Sequence, residues 1–116
     1  MKKFLLIIVA LVVNLNSALA QEYSKAYFAG GCFWCVEEYF DDQLGVISTI
    51  SGYSGGRTKN PTYKQVTFED TGHVETVEVT YDSTRVNYEE LMNLHLSNID
   101  LFDDTGQFCD KGKSYR

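Results

Sequence analysis

The sequence predicts one small α+β domain built as a two-layer sandwich. Its predicted elements follow the order strand, helix, strand, strand, helix. Subtracting residues 1–20, which have the pattern of a leader, from the 116-residue chain leaves 96 residues, enough for one domain and too few for two. With 44% hydrophobic and 22% charged residues the composition is that of a globular protein. We therefore expect a ferredoxin-like sandwich of split βαβ type, with a mixed sheet and long functional loops.

Residues 1–20 have the pattern of a secretory signal peptide. Two lysines precede an apolar run from Phe4 to Val13, and Ala18-Leu19-Ala20 supplies the small residues that signal peptidase requires. The run is too short to span a bilayer. We expect a mature domain over residues 21–116 that is periplasmic or secreted and free of the membrane.

The charge of the mature domain argues against a nucleic-acid partner. The chain has a formal charge of -6, and removing Lys2 and Lys3 with the leader makes it -8. A nucleic-acid-binding domain would present a basic face instead.

The first half of the domain predicts a βαβ unit. A short strand, Ala26–Ala29, stops at Gly30 and Gly31, and a helical spacing of apolar residues then runs from Phe33 to Phe40. The β-branched run Val46–Ile50 predicts a second strand parallel to the first.

The second half combines a loop, a strand and a helix. The polar stretch 57–72 has no sustained period and predicts a long functional loop. Residues 75–82 alternate strictly and predict a half-buried strand. Asn87, followed three residues later by Glu90, predicts a capped helix that continues to about Asn98.

Cys32 is the candidate nucleophile. It follows two glycines and opens the first predicted helix, where unpaired N–H groups and the helix dipole favour a thiolate. Cys35 forms a Cys-x-x-Cys pair with it, which indicates a redox pair or half of a zinc site. No second pair of cysteines or histidines is present to complete a zinc site, so we expect no metal.

Two further features point to a reaction site. Phe33 and Trp34 are adjacent bulky rings that cannot both enter one core, so one of them is expected to line a pocket. Glu75 shares the apolar face of its strand, where desolvation raises a carboxyl pKa and favours a proton donor; a strand-end residue that reaches water is the alternative.

Five motifs together resemble one known family, the peptide methionine sulfoxide reductases A. The resemblance runs from about Tyr27 to Arg116. The motifs are Gly-Gly-Cys-Phe-Trp at 30–34, Gly-Tyr-Ser-Gly-Gly at 52–56, Asn-Pro-Thr-Tyr at 60–63, Thr-Gly-His-Val-Glu at 71–75, and Gln107, Asp110, Gly112, Tyr115 and Arg116.

The resemblance implies a role for each matching residue. Cys32 is the nucleophile, and Glu75 protonates the sulfoxide oxygen. Phe33 and Trp34 hold the sulfoxide methyl group. The remaining site residues that it implies are Tyr63 and Tyr115, which hydrogen-bond the oxygen, and Asp110, which organises the site.

The resemblance also implies a reaction. Methionine S-sulfoxide, free or in oxidised proteins, is reduced to methionine, and Cys32 is left as a sulfenic acid that a second thiol resolves. Thioredoxin or another dithiol then regenerates the enzyme, with no bound cofactor or metal. We expect a monomer.

The chain departs from the family pattern at two places. Members of the family normally continue past the residues matching Tyr115 and Arg116, so we expect a chain that lacks its C-terminal part, with Cys35 and Cys109 as the possible resolving cysteines. Ile99-Asp100-Leu101 stands where the family usually has His-Asp-Pro.

Two other functions stay open at this point. One is an inactive remnant or a module that binds methionine sulfoxide without turning it over. The other is a disulfide oxidoreductase that uses Cys32 and Cys35. The two histidines are given structural roles: His73 shapes its loop and His95 packs within a helix.

Overall fold

The computed structural model describes residues 22–116. The signal peptide predicted for residues 1–20 lies outside this range, and no helix within it is long and apolar enough to cross a membrane. The elements are β1 (Tyr23–Ala29), α1 (Phe33–Asp41), β2 (Val46–Ser54), α2 (Tyr63–Phe68), β3 (Val74–Asp82), α3 (Tyr88–Ser97), β4 (Gly106–Gln107), β5 (Asp110–Lys111) and a 3-10 turn (Lys113–Tyr115).

The main sheet has the strand order β1-β3-β2, and both outer strands pair antiparallel with β3. The strands β1 and β2 therefore run in the same direction with β3 inserted between them, which is the expected split βαβ arrangement. The expectation of a mixed sheet is wrong, because both pairings of the main sheet are antiparallel. The parallel strands β1 and β2 never touch, because the helix crossover leaves a gap between them that β3 fills.

One face of the sheet carries the core. Ala26 and Phe28 of β1 are buried with Val77 and Val79 of β3, as the alternation predicts, and α1 and α3 pack over them. Tyr27, on the other face, is largely exposed. The strand that carries Glu75 is thus the central strand, with its odd-numbered residues directed at the helices.

The predicted cap of α3 is present in full. The Asn87 side chain accepts a hydrogen bond from the Glu90 backbone N–H at 2.8 Å, and the Glu90 carboxylate accepts one from the Asn87 N–H at 2.8 Å. This reciprocal pair satisfies two N–H groups that the first helical turn would otherwise leave free.

The stretch 57–72, predicted as a loop with no element, contains the short helix α2. A second capping box starts it: Thr62 accepts from the Gln65 N–H at 3.2 Å, and the Gln65 side chain accepts from the Thr62 N–H at 2.8 Å. The prediction was wrong because six residues are too few to show helical periodicity, whereas the Thr-x-x-Gln pattern was visible.

The segment after α3 is held by Gln107. Its buried side chain accepts from the Asp100 N–H at 2.6 Å and donates to the Asp100 carbonyl at 2.8 Å. Strands β4 and β5 pair directly after this clamp. A Cβ at Gly106 would lie 2.1 Å from the Asp110 carbonyl oxygen, so only glycine allows the two strands to approach.

Candidate active site around Cys32

Cys32 is the N-cap residue of α1 and is half-buried. Gly31, just before it, has φ +82 and donates its N–H to the Tyr115 carbonyl at 2.9 Å. A Cβ at Gly31 would lie 2.8 Å from the Gln107 Cβ, so this glycine lets the C-terminal segment approach the helix start. The turn thus brings residues from both ends of the described chain to Cys32.

Glu75 lies beside this helix start and is 1% exposed. Its Oε2 accepts a hydrogen bond from the Phe33 N–H at 2.9 Å, while Oε1 has no hydrogen-bond partner among residues 22–116. Burial raises the pKa of Glu75; the Phe33 hydrogen bond opposes this rise and the charge of Asp110 adds to it. Burial thus favours the protonated form of the carboxyl, and its unpaired Oε1 is free to interact with a ligand.

Four aromatic rings form a wall next to the carboxyl. Phe33 is 5% exposed and Trp34 is 59% exposed, so one ring enters the core and the other stays at the surface. The Phe33 centroid lies 5.2 Å from that of Trp34, 5.8 Å from that of Tyr53 and 6.2 Å from that of Tyr63; Trp34 and Tyr63 stack at 5.7 Å. Helix α2 supplies Tyr63 as its first residue.

Tyr53 is a site residue that the sequence reasoning did not single out. Burial and the nearby Glu75 charge raise the pKa of its phenol. Its backbone pairs with Glu75 across β2 and β3. The Gly-Tyr-Ser-Gly-Gly motif contained it, but only the strand register brings it to Glu75.

The phenol of Tyr115 lies close enough to Tyr63 for the two groups to interact. Burial, the interaction with Tyr63 and the Glu75 charge raise the Tyr115 pKa to about 12, so the group stays a hydrogen-bond donor at neutral pH. Asp110 is half-buried and its charge acts on both Tyr115 and Glu75. The structure therefore brings together the carboxyl, both tyrosines and Asp110 that the sequence singled out.

All three cysteines are free thiols. Burial and the neighbouring Cys32 thiol raise the pKa of Cys35. Cys32 and Cys35 line one cavity of about 60 Å³, with Tyr39 and Asp110 among its walls. Cys109 is exposed and lies outside the residues lining that cavity. The geometry favours Cys35 over Cys109 as the thiol that reaches Cys32.

Both histidines have structural contacts. His73 Nδ1 accepts from the Gly56 N–H at 3.1 Å, and its Nε2 lies 2.8 Å from the Thr58 carbonyl. His95 is buried in α3. Within residues 22–116 no three His, Cys, Asp or Glu side chains cluster as metal ligands would.

Comparisons with known proteins agree on one family. The sequence profile described as "Peptide methionine sulfoxide reductase" matches residues 24–116. The "Peptide methionine sulfoxide reductase MsrA" of Bacillus pumilus is 49% identical over 98 residues, covering 84% of this chain and 55% of that protein. "Peptide methionine sulfoxide reductase MsrA 2" of Caulobacter vibrioides is 50% identical over 97 residues, covering 84% of this chain and 50% of that protein. The chain thus spans about half the length of the curated relatives it matches.

Solved structures of the same kind share the fold. "Methionine sulfoxide reductase A of Corynebacterium diphtheriae" superposes with a TM-score of 0.78 at 37% identity, over 81% of this chain and 44% of that one. Mxr1 from Saccharomyces cerevisiae in its reduced form gives a TM-score of 0.76 at 27% identity, over 82% and 57% of the two chains.

Proposed function

Because the chain belongs to the peptide methionine sulfoxide reductase family, we propose that it reduces methionine S-sulfoxide, free or in oxidised proteins, through a sulfenic acid on Cys32. The observation that carries the proposal is the buried Glu75 carboxyl, whose Oε1 is unpaired directly beside the helix start of Cys32.

The first step of the proposed reaction transfers the oxygen of methionine sulfoxide to the Cys32 sulfur. The Cys32 thiolate attacks the sulfoxide sulfur while the Glu75 proton goes to the sulfoxide oxygen. The oxygen passes to the Cys32 sulfur as the S–O bond of the sulfoxide and the transient bond between the two sulfurs break. Methionine leaves, Cys32 becomes a sulfenic acid and Glu75 becomes a carboxylate. Burial supports this role because it raises the pKa of Glu75 and so favours the protonated form.

The aromatic wall is proposed to hold the substrate. The exposed Trp34 ring and the buried Phe33 ring make an apolar corner suited to the methyl group of the sulfoxide. The hydroxyls of Tyr63 and Tyr115 are proposed to donate to the sulfoxide oxygen as it gains charge, and the raised pKa of Tyr115, about 12, supports the role of that hydroxyl as a donor. Asp110 organises the site by favouring a protonated Glu75.

Regeneration is proposed to use two thiols. Cys35 attacks the Cys32 sulfenic acid, water leaves and a Cys32–Cys35 disulfide remains. A dithiol such as thioredoxin then reduces that disulfide. The support for this step is the position of the two thiols, which line the same cavity. Cys109 is the second candidate for the resolving thiol.

The place of action is proposed to be the periplasm or the outside of the cell, as a monomer. The support is the signal-peptide pattern of residues 1–20. Cell fractionation and N-terminal sequencing test it: a mature chain that begins at Gln21 outside the cytoplasm agrees with the proposal, and an uncleaved cytoplasmic chain contradicts it.

A single-turnover assay on the purified chain tests the reaction. Methionine release from the S and R epimers of methionine sulfoxide is compared with the thiols lost. We expect about one methionine per chain from the S epimer only, and none from Cys32→Ser. A folded chain that binds the S epimer without releasing methionine would instead be a binding module. Loss of insulin disulfide reduction in Cys32→Ser, with no methionine released by the parent chain, would indicate a disulfide oxidoreductase.

A further inference from the structure

A hydrogen-bonded Tyr39–His95 pair lies behind the cavity of the two cysteines. The Tyr39 hydroxyl is 2.7 Å from His95 Nδ1, and His95 Nε2 is 3.0 Å from the Ala29 carbonyl oxygen. Tyr39 belongs to α1 and His95 to α3, so the pair joins the two helices. The reaction proposed above does not use either residue.

The contacts of His95 determine which way each hydrogen bond runs. A carbonyl oxygen only accepts, so Nε2 carries the proton. Burial lowers the pKa of His95, and the ring is therefore neutral near pH 7, with an unprotonated Nδ1. The Tyr39 hydroxyl consequently donates to Nδ1, which leaves the lone pairs of the phenol oxygen free to accept a proton.

Cys35 is the group whose proton the Tyr39 phenol oxygen is positioned to accept. Tyr39 follows Cys35 by four residues, which puts both side chains on one face of α1. Both line the cavity of about 60 Å³ that also contains Cys32, and both line a wider cavity of about 370 Å³ with Glu38, Asp42 and Asn98. The smaller cavity has room for a bridging water molecule.

The chemistry of resolution calls for a proton acceptor at this position. Only a thiolate attacks a sulfenic acid efficiently, and burial and Cys32 raise the pKa of Cys35, with smaller contributions from the charges of Asp110 and Glu38. Burial and the charge of a Cys35 thiolate raise the pKa of Tyr39 well above its usual range, so the phenol passes a proton on without itself ionising.

We propose that Tyr39 and His95 form a proton relay that activates Cys35 for attack on the Cys32 sulfenic acid. The inference rests on the proposed function, in which Cys32 becomes a sulfenic acid. Cys35 gives its proton to the Tyr39 oxygen, directly or through one water, and the Tyr39 proton moves to His95 Nδ1. The S–S bond forms as the S–O bond breaks, Cys35 is oxidised, the Cys32 sulfur is reduced, and the departing oxygen takes the relayed proton and leaves as water.

Hydrogen peroxide allows the step to be tested without a sulfoxide. It converts the Cys32 thiolate into the sulfenic acid directly, in a Cys109→Ser background of the full chain, and dimedone labelling and mass spectrometry follow sulfenic acid and disulfide over time. We expect Tyr39→Phe to form sulfenic acid at the parent rate and to resolve it about 10- to 100-fold more slowly near pH 7. His95→Phe is expected to slow resolution in the same way.

The pH dependence separates a relay from a merely structural role. Above the raised pKa of Cys35 the thiol ionises without help, so the resolution rates of Tyr39→Phe and the parent should converge. A structural defect would leave them apart at every pH. Tyr88→Phe is the matched control, because its ring also lies on a helix and stacks on Phe28, at 6.1 Å, yet lies outside both cavities.

Three outcomes would overturn the inference. In the first, Tyr39→Phe resolves the Cys32 sulfenic acid at the parent rate near pH 7. In the second, the resolution rates of Tyr39→Phe and the parent still differ at high pH. In the third, the Cys109→Ser parent forms no disulfide. Sulfenic acid and disulfide from peroxide, together with no methionine from either sulfoxide epimer, would defeat only the proposed function. No sulfenic acid from peroxide or sulfoxide would defeat both.

Discussion

Replacing Glu75 by Gln tests whether a buried carboxyl donates the proton. Gln has the same shape, and its carbonyl can accept the Phe33 N–H that Glu75 Oε2 now accepts at 2.9 Å. The amide NH₂ then occupies the position of the unpaired Oε1, so the variant should fold. What it loses is the proton that the sulfoxide oxygen needs.

The expected loss of rate is that of a general acid. Such a group contributes about 100- to 10,000-fold, or about 3 to 5 kcal/mol of barrier. We therefore expect single-turnover methionine release by Glu75→Gln to fall by about that factor. Glu78→Gln is the matched control, because Glu78 lies on the same strand but bonds to Lys25 at 2.8 Å on the open face; its rate should not change.

The pH dependence has a definite sign. The folded-state pKa of Glu75 is raised above 4.5, so the parent rate should fall as pH rises through that pKa, and Glu75→Gln should lose this limb. Stability follows the same rule. The contribution of protonated Glu75 to the free energy of unfolding is complete below pH 4.5 and is lost as pH rises through the folded-state pKa. Glu75→Gln removes this pH dependence of stability. Quenched single-turnover assays and urea unfolding at several pH values measure both.

A release rate for Glu75→Gln within about threefold of the parent would refute this reasoning, because a general acid contributes far more than that. An unchanged pH profile in the variant would do so as well. Either result would mean that the proton comes from another group.

Three further substitutions test other parts of the site and the core. Tyr115→Phe removes the hydroxyl proposed to donate to the sulfoxide oxygen and should lower kcat/KM about 10-fold or more, so an unchanged value counts against this donor. Thr62→Ala removes the cap of α2 and should lower the free energy of unfolding by about 1 kcal/mol in urea titrations while raising KM, since α2 positions Tyr63; unaltered stability would contradict the cap. Val79→Ala, at a side chain with 0% exposure, should cost about 2 to 3 kcal/mol in the same titrations, and a cost below about 1 kcal/mol would mean that the core closes over the gap.

Local signals in the sequence were enough to predict the main elements. The Gly-Gly turn before Cys32, the Asn87-Glu90 cap and the alternation through Glu75 each involve residues within a few positions of one another. The alternation put Glu75 on the apolar face, since side-chain direction along a strand follows from its period of two, and the structure shows that it is buried there and does not reach water. The five motifs then identified the family.

Local sequence patterns could not predict the contacts between distant segments. The insertion of β3 between β1 and β2 made every pairing of the main sheet antiparallel, and strand pairing depends on which edges meet in space. That register alone brought Tyr53 to Glu75. Helix α2 was missed because its length is shorter than two helical turns.

The sequence by itself determined the order of the main elements, the strand face on which Glu75 lies and the thiol at a helix start, because each follows from local periodicity or capping. Only the tertiary structure decided that the free oxygen of Glu75 lies beside Cys32, that Cys35 and not Cys109 shares its cavity, and that Tyr39 meets His95. The Phe33–Glu75 and Tyr39–His95 hydrogen bonds join residues 42 and 56 positions apart. Contacts over such separations depend on how the helices pack on the sheet, and no local sequence rule predicts them.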